Sequence, residues 1–204
     1  QEESLPSKGS SENNAYITRA QTGINTLNLI LTNMSEATRL EQMLTSTEKV
    51  NFDLKTVVSG CVAGYRQVYG DFTFNLNTEL TELAFNGSPE HIVQLLDKVV
   101  NNAVEFSQDE VICVELKQQN NQAEIYVSNN GVLLPDQLSE NLFDSMVSLR
   151  STCTTEKKQK EAPHLGLGLY IARLICQFHQ GEISAMNHYQ PDGVTIKIVL
   201  PINT

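Results

Sequence analysis

Three stretches of the chain carry residue types that could do chemistry together. In HLGLGLYIARLICQFHQGEI, His164 to Ile183, Gly166 and Gly168 stand just before the apolar positions Leu169, Ile171, Ala172, Leu174, Ile175 and Phe178. Glycine lets a backbone approach a ligand closely. The helix predicted behind these glycines offers free N–H groups and the positive end of its dipole, a setting suited to phosphate. In PEHIVQLLDKVVNNAVEFSQ the apolar residues Ile92, Leu95, Leu96, Val99, Val100, Ala103 and Phe106 cover much of a helix, yet Lys98 and Asn102 fall one turn apart on it, with Glu105 nearly beneath them. Polar side chains on a largely buried helix need partners. An asparagine carbonyl oxygen is a hard ligand that suits Mg²⁺, an ion that takes its other ligands from water and phosphates. Bonds from Asn101 and Asn102 to neighbouring backbone would satisfy them as well. In the third stretch, SNNGVLLP, Asn129 closes a predicted strand ahead of the turn signal Asn130-Gly131. A polar side chain fixed there could read the edge of a base.

A fourth segment supplies charge. TCTTEKKQKEAPH is long, polar and poor in apolar residues, which marks a lid or an unstructured loop. With the residues around it, it brings Arg150, Lys157, Lys158 and Lys160 against Glu156 and Glu161. The chain as a whole carries a net charge of −10, which argues against a general nucleic-acid surface, so an anionic ligand would need such a local gathering of cations. The cysteines Cys61, Cys113, Cys153 and Cys176 and the histidines His91, His164, His179 and His188 show no metal-ligand spacing. Buried thiols in a reducing compartment are the expectation. No stretch approaches the ~18 apolar residues of a membrane span. No signal peptide is visible, and a chain opening on Gln1 reads as a fragment.

The elements that must position these residues follow from periodicity. Residues 1–13 read as a polar, disordered tail. From Asn14 a long helix is predicted, with Ile17, Ala20, Ile24, Leu27, Leu31 and Met34 forming a seam with steps of three and four. Such a stripe needs a partner helix. A dimerisation stalk is favoured over an arm of an intrachain bundle, because the chain offers no second long helix. A helix from Phe52 to about Tyr69 follows, capped by Asp53, with Val57, Val58, Cys61, Val62 and Tyr65 as its core face. DFTFNL and ELAFNG read as short strands. Ser88 and Pro89 read as cap and first residue of the next helix. Strands are expected over Val111–Lys117, Ala123–Ser128, Glu182–Met186 and Val194–Leu200. This order predicts an α+β chain: a long N-terminal helix, then a two-layer sandwich of a mixed sheet and about three helices.

In this order the motifs resemble the ATP-binding domain of sensor histidine kinases, which share a superfamily with gyrase, Hsp90 and MutL. DKVVNNAVEFS resembles the asparagine box, with Asn102 at the Mg²⁺ position; VSNNGVLLP the first glycine box; NLFDSMVSL the phenylalanine box, through Phe143; and HLGLGLYIARLICQFHQGEI the second glycine box. LTNMSEATRLEQML with VNFDLKTVV is similar to the end of the second dimerisation helix and its linker. The resemblance covers about residue 14 to the C-terminus. Among subfamilies, LLDKVVNNAVEFS, LFDSMVSLR and MSEATRLEQ look most like the kinase of the proteobacterial dedicated sortase system.

The resemblance implies residues 14–48 as the second helix of the dimerisation region and 49–204 as the catalytic domain. It implies ATP and Mg²⁺ as ligands, with Asn102 and Lys98 in catalytic roles and Asn102 on the metal. Asn129 and Gly131 would lie at the base, Phe143 would be among the nucleotide-binding residues, and Gly166, Leu167, Gly168 and Leu169 would lie at the phosphates. Arg150 or a lid lysine between Ser145 and Pro163 would meet the γ-phosphate. The partners implied are a response regulator and a second copy in the full-length protein, with no nucleic acid. The setting implied is the cytoplasmic side of a bacterial inner-membrane sensor. Departures are visible: the family usually has Asp where this chain has Asn129, often a second Asn at Lys98, and a basic residue at Glu105. No histidine stands in the family's phosphoacceptor pattern, so the fragment is expected to bind ATP without phosphorylating itself. A catalytically degenerate, nucleotide-responsive dimerisation module is the alternative. A plain interaction domain would leave the ordered motifs unexplained.

Overall fold

A computed structural model describes residues 8–135, 142–143 and 167–202. Eleven elements are found among them. Helix α1 spans Lys8–Ser46 and is followed by strand β1 (Val50–Asp53) and helix α2 (Leu54–Val68). Strands β2 (Thr73–Asn77) and β3 (Ala84–Gly87) lead into helix α3 (Pro89–Phe106). Strands β4 (Ser107–Gln119) and β5 (Gln122–Gly131) precede helix α4 (Leu167–Phe178), and β6 (Glu182–His188) and β7 (Gly193–Pro201) complete the order.

Five strands form one mixed sheet in the order β2-β4-β5-β7-β6. The β2–β4 pair is parallel and the others are antiparallel. Alternation sends Ile112, Val114, Leu116, Ile125, Val127, Ile196 and Ile198 to one buried face, where they join the apolar stripes of α2, α3 and α4. The two-layer sandwich expected from element order is therefore present. The hairpin between β4 and β5 turns on Asn120 and Asn121, whose φ values of 48° and 61° are those of a two-residue type I′ turn. Strand β4 starts at Ser107, earlier than its alternation suggests. Its first residues are set off by a register break between Ser107 and Ile112, with Glu110 at φ 58°, as a bulge requires.

Two features were not legible in the periodicity. Strand β1 pairs antiparallel with β3 in a separate two-stranded sheet, where a break between helices was expected. Asp53 is the joint: its carboxylate accepts from Lys55 N and Thr56 N at the start of α2 and, at 2.7 Å, from Leu83 N. These hydrogen bonds, that of the Thr56 hydroxyl foremost, hold its carboxyl below the usual range. The second is α1, which begins at Lys8 and so takes in residues 8–13, where a disordered tail was expected. The polar composition of these residues suggests a tail, but no proline stands between Lys8 and Asn14 to stop the helix.

The apolar seam of α1 divides in two. Ala37, Leu40 and Leu44 are buried, the helix packing there on α4, while Ile17, Ile24, Leu27 and Leu31 are exposed. Among the described residues, no helix is long and apolar enough to cross a membrane. Of the described cysteines, Cys176 is buried while Cys61 and Cys113 are half-buried, and all three are free. Burial pushes the Cys176 thiol up to about 12.

The start of α3 is tied to the end of α4 by His179, which is 2% exposed. Its Nε2 accepts from Ser88 N at 3.0 Å, and its Nδ1 lies 2.8 Å from the Ile175 carbonyl, to which it donates as the neutral tautomer. A protonated ring would turn a second N–H against that of Ser88. Burial accordingly lowers the His179 pKa to about 4. The linkage has a definite sign. Between about pH 6.5 and pH 4 the unfolded chain takes up a proton that the native chain refuses, so stability is complete above that window and falls as pH drops through it. A shift of this size amounts to about 3 kcal/mol. Chemical denaturation followed from pH 7 to 4 should show this loss, and His179→Gln, which accepts but does not titrate, should reduce it to the part owed to His91, whose pKa burial also lowers. An unchanged slope in that variant would assign the loss to other groups.

Candidate functional site

Helix α3 is fixed at its start as its sequence predicts. Ser88 is the N-cap, its Oγ accepting from His91 N, and Pro89 occupies the first turn. Its buried residues are His91, Ile92, Leu95, Leu96, Val99, Val100 and Ala103, so Asp97, Lys98, Asn101 and Asn102 come to its margins. Their partners differ. The Tyr65 hydroxyl donates to Asp97 Oδ1 at 2.6 Å, and burial, with this hydrogen bond second, raises the tyrosine pKa. The Tyr69 hydroxyl donates to Asn101 Oδ1. Lys98 Nζ lies 2.8 Å from Glu36 Oε1 on α1. The Asn102 carboxamide, half-buried, makes no hydrogen bond among the described residues. Asn101 thus has a side-chain partner where neighbouring backbone was the simpler expectation, and Asn102 has neither.

The ion pair between Lys98 and Glu36 is half-exposed, and such pairs hold only about 0.2–1 kcal/mol. A second polar contact between α1 and the domain is made by the Tyr170 hydroxyl, which donates to Glu41 Oε1 at 2.9 Å. Both carboxylates belong to the helix that was read as a stalk. Their positions gave no sign in the sequence that they would face α3 and α4.

Asn129 and Gly131 end β5 beside the C-terminus of α3. Gly131 pairs with Ser107, the residue after the helix, and its N–H donates to Asp192 O at 2.9 Å. A Cβ on Gly131 would stand 2.3 Å from the Phe106 carbonyl oxygen. Gly131 is therefore required for close approach of two backbone segments; the sequence suggested a turn. Asn129 is 5% exposed, on the helix-covered face of the sheet. A cleft of about 550 Å³ opens near the same strand ends but is lined by Asn130, Gly131, Asp109 and Asp192, and includes neither Asn102 nor Asn129. Beyond Gly131 the chain is clamped to β6 by Asn187, whose side chain accepts from Leu134 N and donates to Leu134 O, each at 2.8 Å. Nothing in the spacing singled out Asn187.

The contact between His179 and Ser88 sets the direction of α4. Its end meets the start of α3, and the two helices pack together, so α4 runs back along α3. Its 12 residues span about 18 Å, the length of α3 from its start to about Val100. Gly168 lies inside the first turn of α4, where a preceding glycine turn was expected. Leu167 and Leu169 are 4% and 5% exposed, so both side chains are buried. Phe143 is buried in the same core. Gly166, Arg150, His164 and the segment from Ser145 to Pro163, with Lys157, Lys158 and Lys160, lie outside the described residues.

The described residues thus include a carboxamide without a hydrogen bond among them near the end of α3, a buried amide at a strand end and the N-terminus of α4. Residues 87–204 match the model of the histidine kinase-, DNA gyrase B-, and HSP90-like ATPase family. The chain belongs to this family, and its sandwich is an ATP-binding domain of the histidine kinase type. It is 27% identical over 128 residues to the heme sensor protein HssS of Staphylococcus haemolyticus, covering 62% of this chain and 26% of that one. It is 24% identical over 174 residues to the sensor protein kinase WalK of Staphylococcus aureus, covering 82% of this chain and 40% of that one. The chain therefore spans well under half the length of these curated relatives. Its fold is similar to that of histidine kinase ThkA, solved in complex with the response regulator TrrA, with a TM-score of 0.65 and 19% identity over 93% of this chain and 56% of the other.

Proposed function

We propose that the chain is the ATP-binding catalytic part of a two-component sensor histidine kinase. In this reading the γ-phosphate of ATP passes to a histidine of the dimerisation region and then to an aspartate of a response regulator. The observation that carries it is the unbonded carboxamide of Asn102. Asp97, Lys98 and Asn101 around it are each engaged, while Asn102 keeps an oxygen with no partner among the described residues.

That donor set fits Mg²⁺. No group of three His, Cys, Asp or Glu side chains is poised for a metal among the described residues, and an ion that takes most ligands from phosphates and water needs only one hard oxygen from the protein. Held by the Asn102 oxygen, Mg²⁺ would supply charge neutralisation at the phosphates. Asn102 supplies the protein oxygen. The backbone N–H groups at Gly166 to Leu169 meet the phosphates at the dipole's positive end. Asn129 and Gly131 hold the base, Phe143 anchors the base of the lid, and Arg150 or a lid lysine meets the γ-phosphate. Lys98 donates to Glu36 on α1, and its ammonium has two further N–H groups with which to meet a phosphate.

Residues 14–48 serve as the second helix of the dimerisation region, and the exposed Ile17, Ile24, Leu27 and Leu31 are the face that a partner helix covers in a full-length homodimer. The domain works on the cytoplasmic side of a bacterial inner-membrane sensor, of the subfamily that the sortase-system motifs suggest.

Transfer is the deciding test. With γ-labelled ATP, Mg²⁺ and a separately supplied histidine-bearing dimerisation helix, the chain should place base-stable, acid-labile label on that helix. ATP binding without any transfer would sink the kinase reading and leave a nucleotide-responsive module.

A further inference from the structure

Resting on the reading of Asn129 as the base contact, we infer that this site takes 6-oxopurine nucleoside triphosphates as well as 6-aminopurine ones. The backbone of Asn129 is fixed on both sides, in register with Ile112 on β4 and Val194 on β7. A Cβ on Gly193 would lie only 2.2 Å from the Asn129 carbonyl, so that neighbour stands close as well. The side chain is thereby held at one place on the helix-covered face.

Its amide, in contrast, is oriented only weakly by the described residues. The flanking residues Ile112 and Val194 have no side-chain polar atoms. Among the described residues, the only hydrogen bond of the amide is a 3.5 Å contact from Nδ2 to the carbonyl of Asn130, at the outer limit for such a bond. Oδ1 has no partner among them. The next residue is the opposite case: Asn130 is held through Nδ2, which donates to Asp109 Oδ2, and through Oδ1 beside His188 Nε2 at 3.3 Å.

A buried carboxamide that the described residues hold by one such marginal contact can present either end. With Oδ1 forward it accepts from a 6-amino group; rotated by half a turn, it donates from Nδ2 to a 6-oxo group. A carboxylate at this position could only accept. It would meet the lone pairs of a 6-oxo group with its own, and sites that leave buried polar groups so mismatched discriminate strongly.

Calorimetric titration of the intact chain with Mg-ATP and Mg-ITP tests this directly, since inosine differs from adenosine in carrying oxygen for the 6-amino group. ITP should bind within about tenfold of ATP, the spread of one hydrogen bond between neutral groups. In Asn129→Asp the ratio should widen to about a hundredfold or more in favour of ATP. ATP binding with ITP more than about a hundredfold weaker in the intact chain overturns the inference and leaves the nucleotide site standing. Binding of neither overturns both. The ratio in the intact chain decides the matter even if the variant fails to fold.

Discussion

Asn102→Ala should weaken Mg-ATP binding by at least about tenfold, or ~1.4 kcal/mol, and remove most of the tightening that Mg²⁺ gives. The reason is the difference between two adjacent asparagines. Asn101 spends its carbonyl oxygen on the Tyr69 hydroxyl, whereas Asn102 has no hydrogen bond to lose among the described residues. Removing the Asn102 carboxamide therefore costs the unliganded fold nothing in those polar contacts, and alanine is the better helix former. Melting without nucleotide should be unchanged or slightly higher. Asn101→Ala should show the reverse: loss of a hydrogen bond worth about 0.5–1.5 kcal/mol and an ATP affinity close to that of the unchanged chain. Calorimetry with and without Mg²⁺, beside thermal melts, separates the two. If Asn102→Ala binds Mg-ATP as the unchanged chain does, the metal role assigned to Asn102 is wrong.

The residues that came out as expected are those whose reasons are local. The stripes of α2, α3 and α4, the Asp53 cap and the Ser88-Pro89 start each depend on neighbours within a turn or two. The order of motifs was equally legible, because it is a property of the chain alone. What stayed hidden depends on distant segments. The partner of Lys98 is 62 residues away, on a helix whose own periodicity pointed elsewhere. His179 showed no ligand spacing, and its acceptor role is defined by a backbone N–H 91 residues distant. Strand β1 is a strand because β3 lies beside it, and its four residues carry no alternation of burial that could have announced it.

Gly131 shows how one residue can be noticed for one reason and needed for another, and it gives the second large effect. Gly131→Ala would put a methyl carbon 2.3 Å from the Phe106 carbonyl oxygen. That oxygen belongs to the last turn of α3, and Gly131 itself is held in the ladder by Ser107 and through its N–H to Asp192, so neither side can yield without breaking backbone pairing. Overpacking of this kind costs typically about 1–3 kcal/mol, and against backbone the upper half of that range is expected. For a chain of this size it corresponds to a melting temperature lower by roughly 4–12 °C. Gly168 is the contrast within the same site. A Cβ there meets nothing within 4 Å among the described residues, and the residue sits in the first turn of a helix. Gly168→Ala should melt at the same temperature or above it, because alanine is favoured over glycine in helices by about 1 kcal/mol. Yet it should bind ATP more weakly, if the space over Gly168 is where phosphate approaches the backbone. Melting and ATP titration of the two variants thus give opposite patterns: Gly131→Ala fails in the fold, Gly168→Ala only in the ligand. A Gly168→Ala chain that keeps full ATP affinity would show that the phosphates lie elsewhere along the N-terminus of α4.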